Sequence, residues 1–155
     1  MSLTAFTLGL ALPYGTQPGV ELAVTQSLAP QWFVQEHAVV SFRPSNHMAT
    51  LIDVRVGRSA QARGRWTPSA SVGVGYELRA QVVTRSVGLG TGSGGLTTEL
   101  QHSLLPTLNG ELAWQSQGRI GAYGALTLGR RVRIGAPGEM YYAASVGVRI
   151  ALGTP

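Results

Sequence analysis

The chain has 155 residues, with seven acidic side chains, twelve basic side chains that are all arginine, and no cysteine. This length fits one domain, spanning residues 1–155. The absence of cysteine excludes a disulfide scaffold, a thiolate metal site and a cysteine nucleophile. A hydrophobic content of 44% with a net charge of only +5 argues against a disordered chain. The 21 dispersed glycines argue against a helical bundle.

Apolar and polar residues alternate along most of the chain, which is typical of β-strands that bury one face. In Ser69–Val82, for example, Val72 and Val74 alternate with Gly73 and Gly75. The pattern predicts an all-β fold with eight strands of a length that suits tilted membrane-spanning strands. The predicted strands are Thr4–Leu12, Gly19–Leu28, Gln35–Phe42, Met48–Arg58, Ser69–Val82, Ser103–Gln115, Arg119–Arg130 and Tyr141–Leu152.

The segments between these runs are rich in glycine, proline and small polar residues, which favour turns. Gly88–Thr98 is predicted to be a flexible loop, and Arg131–Glu139 is predicted to be the last connection. No apolar run is long enough for a transmembrane helix. The first residues show no basic region of the kind that begins a signal peptide.

Eight alternating strands can close into a soluble barrel with an apolar interior or a membrane barrel with an apolar exterior. The polar face here consists mostly of Gly, Ala, Ser and Thr, and lysine is absent. A water-facing surface usually carries long charged side chains, whereas small residues suit the cramped interior of an eight-stranded barrel. We therefore predict an eight-stranded antiparallel up-and-down transmembrane β-barrel.

The polar face also carries charges of both signs, which would have to pair inside a barrel. The predicted interior charge network consists of Glu21, Asp53, Arg55, Glu77, Arg79, Glu111 and Arg149. Glu36 is the exception on the apolar face. It lies near a membrane boundary, is turned inward by a bulge, or contacts a partner protein.

Aromatic residues concentrate at strand ends, as in the interfacial girdles of membrane barrels. If the first strand starts on the periplasmic side, one set lies at the periplasmic rim and the other at the outer rim. The periplasmic set is Trp32, Trp66 and Trp114, and the outer set is Tyr14, Phe42, Tyr141 and Tyr142.

Over Thr4–Leu152 the chain resembles the small eight-stranded outer-membrane proteins of Gram-negative bacteria, the OmpA/OmpX type of β-barrel. The resemblance rests on strand pattern rather than on a motif. It implies an integral protein of the outer membrane that contacts membrane lipid. We predict a non-enzymatic barrel with a structural, anchoring or assembly role in the envelope. One departure is that the last strand ends in Ile150, Ala151 and Leu152 rather than in an aromatic residue.

Several arginines lie in connections predicted to be at the outer rim, where a guanidinium could bind the phosphates of lipopolysaccharide. The alternative is that they are ordinary solvated loop residues. These candidates are Arg43, Arg85, Arg130, Arg131 and Arg133. The arginines are scattered rather than clustered with aromatic residues, so we do not expect a nucleic-acid partner.

A lipid A modifying enzyme is an alternative function, because lipid A deacylases resemble this barrel type and use a histidine near a serine. Here His102 and Ser103 are adjacent, with Glu99 close by. Adjacent strand residues point to opposite faces, so this spacing does not fit a catalytic pair. His37 is interpreted as an interior residue with hydrogen bonds, and we expect no metal site and no cofactor.

Two further interpretations remain open at this stage. Small residues on the outward face of the last two strands could let an envelope protein dock there, or that face is simply uneven. They are Ala122, Gly124 and Ala144. If the barrel were instead soluble, a lipocalin- or avidin-like pocket for an apolar molecule would be lined by Leu8, Leu22, Val74, Leu126 and Val148.

Overall fold

The computed structural model describes residues 2–15, 17–43, 47–85, 95–116, 118–133 and 135–152. Eight antiparallel strands form one closed barrel, in which each strand pairs with its sequence neighbours and the last strand pairs with the first. The strands are β1 (Ser2–Pro13), β2 (Gly19–Ala29), β3 (Trp32–Arg43), β4 (His47–Ser59), β5 (Trp66–Arg85), β6 (Gly95–Gln115), β7 (Ile120–Arg133) and β8 (Ala136–Ala151). The predicted fold class is confirmed.

Most strands extend further than the sequence pattern predicted, and β6 and β8 begin earlier by eight and five residues. The β5–β6 ladder runs from Trp66↔Trp114 to Arg85↔Gly95, so Gly95–Thr98 belongs to β6 and not to a flexible loop. The β-branched residues of Val82–Thr84 favour this extended pairing. Likewise β7 continues to Arg133, which shortens the last connection. The local composition at these strand ends favours a turn, but pairing with the neighbouring strand of the hairpin keeps the chain extended.

The barrel has two ends, which we name by the chain termini. The terminal end carries both termini and the connections β2–β3, β4–β5 and β6–β7. The far end carries the connections β1–β2, β3–β4, β5–β6 and β7–β8. The described residues contain no helix that is long and apolar enough to cross a membrane.

The two faces of the sheet differ sharply in chemistry. Along the body of every strand the odd-numbered residues face the interior and the even-numbered residues face outward, because antiparallel pairing keeps this alternation in step around the barrel. The outward side chains are apolar and exposed, as for Leu10 at 64% and Leu126 at 66%. The interior side chains are largely polar, and Asp53 is only 1% exposed.

This orientation removes the soluble ligand-binding barrel from consideration. The five residues expected to line its pocket are all large apolar side chains exposed on the outside of the barrel, namely Leu8, Leu22, Val74, Leu126 and Val148. They cannot form an internal pocket, because they occupy even positions of the alternation. The apolar face points outward, as the membrane-barrel prediction required.

The interior is filled because large side chains lie opposite glycines. The Tyr123 ring, which is buried, lies against Gly9 and Gly147 on the neighbouring strands. A Cβ atom on Gly147 would lie 2.7 Å from Tyr123 Cε1 and 2.5 Å from Gly9 Cα, which is too close for any side chain. Towards the far end, Leu105 and Tyr141 pack with smaller residues in a second cluster. Side chains therefore occupy the space that a channel would need.

We predict that Gly147→Ala destabilises the barrel by roughly 1–3 kcal/mol, since the added methyl group would overlap the β1 backbone at Leu8 and Gly9 as well as the Tyr123 ring. Gly110→Ala is the matched control, because a Cβ atom on Gly110 meets nothing within 4 Å. The free energy of unfolding, measured in urea in one detergent, should fall for the first variant alone. Equal stability of the two variants would show that the β1 backbone and the ring both shift at little cost and that the interior is loosely packed.

Candidate functional site

The charged interior is the most distinctive polar feature of the structure. All seven residues of the predicted interior charge network lie on its inner face. They do not form one network, however. Together with neighbours that the sequence analysis did not include, they form three clusters along the barrel: a middle cluster, a far-end cluster and a terminal-end pair.

The middle cluster joins β2, β3 and β4. The His37 ring lies between two carboxylates, with Nδ1 3.0 Å from Asp53 Oδ1 and Nε2 3.2 Å from Glu21 Oε1. Arg55 donates to Asp53 Oδ2 from Nε at 3.0 Å and from Nη2 at 2.8 Å. All four side chains are almost completely buried. His37 thus has the hydrogen-bonded interior role that the sequence analysis assigned to it.

The far-end cluster is centred on Arg131, which is 1% exposed. Its guanidinium donates to both oxygens of Glu77, at 2.6 Å from Nε and 3.1 Å from Nη2, and it also donates to Glu139. Arg79 donates to the same Glu77 carboxylate at 3.2 Å. The Tyr14 ring lies between the two guanidinium groups, with its centroid 5.0 Å from Arg79 and 5.1 Å from Arg131.

The assignment of Arg131 to lipid phosphate binding was wrong. Arg131 occupies an odd-numbered position of β7, so its side chain points inward, where two carboxylates bind it. Arg133 also turns towards the interior, donating to Ser103 Oγ at 3.0 Å and lying 3.7 Å from Glu139. Arg131 and Arg133 continue the alternation of β7 and occupy its inward-facing positions. The predicted strand ended too early because consecutive arginines resemble a loop.

The terminal-end pair consists of Glu111 and Arg149, whose Nη1 atom donates to Glu111 Oε1 at 2.6 Å. The pair bridges β6 and β8 across the inside of β7. Arg149 also lines a small cavity of about 150 Å³ that opens towards the terminal end. The cavity is bounded by polar side chains that include Thr4, Ser69 and Arg119.

The three clusters are electrically balanced. Their five carboxylates all lie in ion pairs or His37 contacts, and they are the buried Glu21, Asp53, Glu77 and Glu111 and the exposed Glu139. The arginines of the clusters are also five, namely Arg55, Arg79, Arg131, Arg133 and Arg149. The chain carries a net charge of +5, so this excess belongs entirely to residues outside the three clusters.

Aromatic side chains mark both ends of the barrel. Trp32, Trp66 and Trp114 all occupy strand residues at the terminal end and face outward, and Trp66 pairs with Trp114 in the ladder. Phe42 and Tyr142 are exposed on the outward face at the far end.

Tyr141 departs from the predicted girdle. It is 2% exposed and packs inside the barrel, where its ring meets Tyr14 edge to face at 5.3 Å. Tyr141 and Tyr142 are consecutive residues of β8, so only one of them can face lipid. The prediction that both lie in one girdle was therefore wrong for Tyr141.

The histidine and serine considered for catalysis lie on opposite faces. His102 is exposed on the outward face, where Nδ1 contacts the hydroxyl of Tyr76. Ser103 is buried and accepts a hydrogen bond from Arg133. Their side chains cannot act as a base and its nucleophile in this arrangement. Among the described residues, no group of three or more histidine, aspartate or glutamate side chains is placed to hold a metal ion.

Glu36 lies on the outward face, where its pairing with Val24 and Val54 is regular, and the register shift of the β2–β3 ladder lies further along, between Ser27 and Ala29. No bulge turns it inward, so that interpretation was wrong. Its position on β3 is closer to the terminal end, four residues after Trp32. This leaves a membrane boundary or a partner contact as explanations of its charge.

The remaining arginines that were predicted to bind lipid phosphate are Arg43, Arg85 and Arg130. Arg130 is exposed on the outward side, as expected for a residue that could meet a lipid phosphate. The side chains of Arg43 and Arg85 lie outside the described residues.

The small outward residues of the last strands border a groove. Ala122 and Gly124 lie in a depression of about 450 Å³ flanked by Trp66, Trp114 and Leu112. A second depression of about 560 Å³ continues from it, shares Leu112 and Gly124, and reaches Ala144. The uneven outer surface noted in the sequence therefore consists of two adjoining shallow depressions over β6, β7 and β8, which together we call the groove.

The barrel matches known membrane barrels in structure. The N-terminal β-barrel domain of Pseudomonas aeruginosa OprF aligns over 96% of both chains with a TM-score of 0.71 and 9% identity. Neisserial surface protein A aligns over 95% of this chain and 93% of its own, with a TM-score of 0.64 and 9% identity. A de novo designed transmembrane β-barrel aligns over 97% and 95%, with a TM-score of 0.59 and 8% identity.

The chain has the fold of the small outer-membrane β-barrels. At 8–9% identity the likeness concerns the fold alone. No protein-family model matches the sequence, and no curated protein matches it. The fold expected from the resemblance to OmpA/OmpX-type barrels is thus confirmed.

We predict that Arg131→Met costs about 3–5 kcal/mol of unfolding free energy, because it leaves the buried Glu77 carboxylate without its two-point partner. Arg79→Met should cost less, since Arg131 still binds Glu77. Arg130→Met is the matched control on the outward face and should cost little. Adding Glu77→Gln to Arg131→Met should restore part of the loss. Urea unfolding in one detergent measures all four, and equal losses for Arg130→Met and Arg131→Met would contradict the buried ion pair.

Proposed function

We propose that this protein is a non-enzymatic integral β-barrel of the outer membrane of a Gram-negative bacterium, with a structural or anchoring role in the envelope. The observation that carries the proposal is the division of the barrel into an apolar exterior and a filled, charge-balanced interior. An exterior of this kind is stable only against lipid, and an interior of this kind needs neither a ligand nor water to neutralise it.

A transport role receives no support from the interior. Residues on its inner face are buried at successive levels, from Tyr123 through Asp53 to Leu105, which is 0% exposed. Eight-stranded barrels have room for side chains but not for an open channel. The Arg–carboxylate clusters therefore act as internal cross-links between strands.

A lipid A modifying activity is also not supported within the described part of the chain. Of its histidines, His37 is held between carboxylates and His102 is paired with a tyrosine. No hydrogen bond of the described residues joins either imidazole to a serine or threonine hydroxyl, as a base and its nucleophile would require. The protein consequently acts through its surfaces.

The far end is a contact surface for lipopolysaccharide in this proposal. Arg130 is exposed there, and Arg43 and Arg85 are the last residues of β3 and β5 at the same end of the barrel. Guanidinium groups bind phosphate in a two-point geometry that lysine cannot match, and the chain uses arginine alone. Arg131 and Arg133 take no part, since the interior clusters bind them.

We expect the folded protein to require detergent or lipid and to migrate differently on a gel before and after boiling. A closed barrel resists unfolding at room temperature and runs as a compact species until heated. The measurement is gel mobility of samples extracted with and without mild detergent. A monodisperse, ligand-free protein in plain buffer would overturn the membrane location.

Arg130→Gln should lower the amount of lipopolysaccharide that stays with the purified barrel by about fivefold, given roughly 1 kcal/mol for one arginine near an anionic membrane surface. Arg65→Gln removes the same charge at the terminal end and serves as the control. Mass spectrometry of the detergent-solubilised protein measures the retained lipid. Unchanged retention in the Arg130→Gln protein, or equal losses in both, would show that the far end is not the contact surface.

A further inference from the structure

The terminal end carries four exposed arginines without acidic partners. They are Arg58, Arg63, Arg65 and Arg119. None of them forms an ion pair with a described side chain, although every arginine of the interior clusters does. Arg58 is held only by a neutral group, donating to Gln31 Oε1 at 2.9 Å and 3.3 Å. Much of the net positive charge of the chain is therefore concentrated at this end.

The three tryptophans lie at the same end. The Arg58 guanidinium is 6.0 Å from the Trp32 ring centroid. The Arg65 carbonyl oxygen accepts a hydrogen bond from the Gln115 amide at 2.9 Å, which places Arg65 beside Trp66 and Trp114. Tryptophan prefers the boundary between hydrocarbon and head groups, so these arginines lie at the depth of lipid phosphates.

The groove on β6, β7 and β8 begins at this boundary. Trp66 and Trp114 flank its start, and it continues over Ala122 and Gly124 towards Ala144. Its first part, about 450 Å³, is lined almost entirely by apolar atoms. A depression of this kind in a lipid-facing wall accommodates a flexible hydrocarbon chain.

We propose that the terminal end binds an anionic phospholipid, with the phosphate against Arg65 and its neighbouring arginines and one acyl chain in the groove. Charge complementarity selects the head group, because the arginines have no protein carboxylate to neutralise them. The groove selects a lipid over a free phosphate, since it starts where the head group would end. This inference rests on the membrane location proposed above.

The test uses the intact barrel in neutral detergent micelles, with dioleoyl-phosphatidylglycerol and dioleoyl-phosphatidylcholine supplied in equal amounts. Native mass spectrometry measures how much of each lipid stays bound. The wild-type protein should retain the anionic lipid in clear preference to the zwitterionic one. Arg65→Gln should reduce that preference about fivefold, from roughly 1 kcal/mol per arginine at a membrane surface. Arg130→Gln removes the far-end lipid contact proposed above, and in this background Arg65→Gln should still reduce the preference about fivefold.

The groove is tested separately by Ala122→Leu, which fills its floor. The matched control is Ala38→Leu, at an outward position of β3 on another part of the barrel. Only Ala122→Leu should reduce retention of phosphatidylglycerol. An excess of glycerol phosphate, which has the charge but no acyl chains, should fail to displace the lipid.

Each contrary result overturns the proposal. Equal retention of the two lipids would remove the charge selectivity, and loss of the Arg65→Gln effect in the Arg130→Gln background would remove the location. Displacement by glycerol phosphate, or no effect of Ala122→Leu, would leave an anion site or a protein-docking face instead. Heat-dependent gel mobility of the same samples distinguishes failure of the lipid-binding proposal from failure of the proposed membrane location. A heat-modifiable barrel without lipid preference overturns this inference alone, whereas loss of that mobility overturns the membrane barrel itself.

Discussion

Pairing of buried charge is the constraint on which the rest of this structure depends. A closed barrel with an apolar exterior leaves its polar residues nowhere to point except inward, and an unpaired buried charge is costly there. Arg131 illustrates the solution, because its guanidinium binds Glu77 at two points and joins it to Glu139. Strands β5, β7 and β8 are thereby linked across the interior, in addition to their ladders.

The interior also has to be filled as well as neutralised. Large groups such as Tyr123 and Arg55 reach across the barrel only because the residues opposite them have no side chain, as at Gly147 and Gly73. This explains why small residues dominate the polar face without making it a water-facing surface. Size complementarity and charge complementarity therefore act on the same odd-numbered positions.

The period-two pattern was sufficient to predict the fold and the interior position of seven charged residues. The pattern did not predict the strand ends whose local composition resembles that of a loop. Arg131, Arg133 and Gly95–Thr98 look like loop residues locally, but pairing with a neighbouring strand extends β7 and β6 through them. Tyr141 lies near a rim, but its odd-numbered position on β8 directs its side chain into the barrel rather than into the girdle. Which acid meets which arginine could not be predicted, since those contacts depend on barrel shear and side-chain length.

The same constraint explains how the fold persists at 9% identity to OprF and Neisserial surface protein A. The fold requires an alternating pattern, a neutral interior and small residues opposite large ones. Many different sequences satisfy these requirements, so none of them preserves a sequence motif. Because the clusters are neutral, the net charge of +5 comes from residues outside them. Residues at the rims are not bound by the pairing that the interior requires, so they can differ more between barrels. In our proposal, the arginines that lack acidic partners at the terminal end, with Arg65 beside Trp66 and Trp114, distinguish one membrane lipid from another.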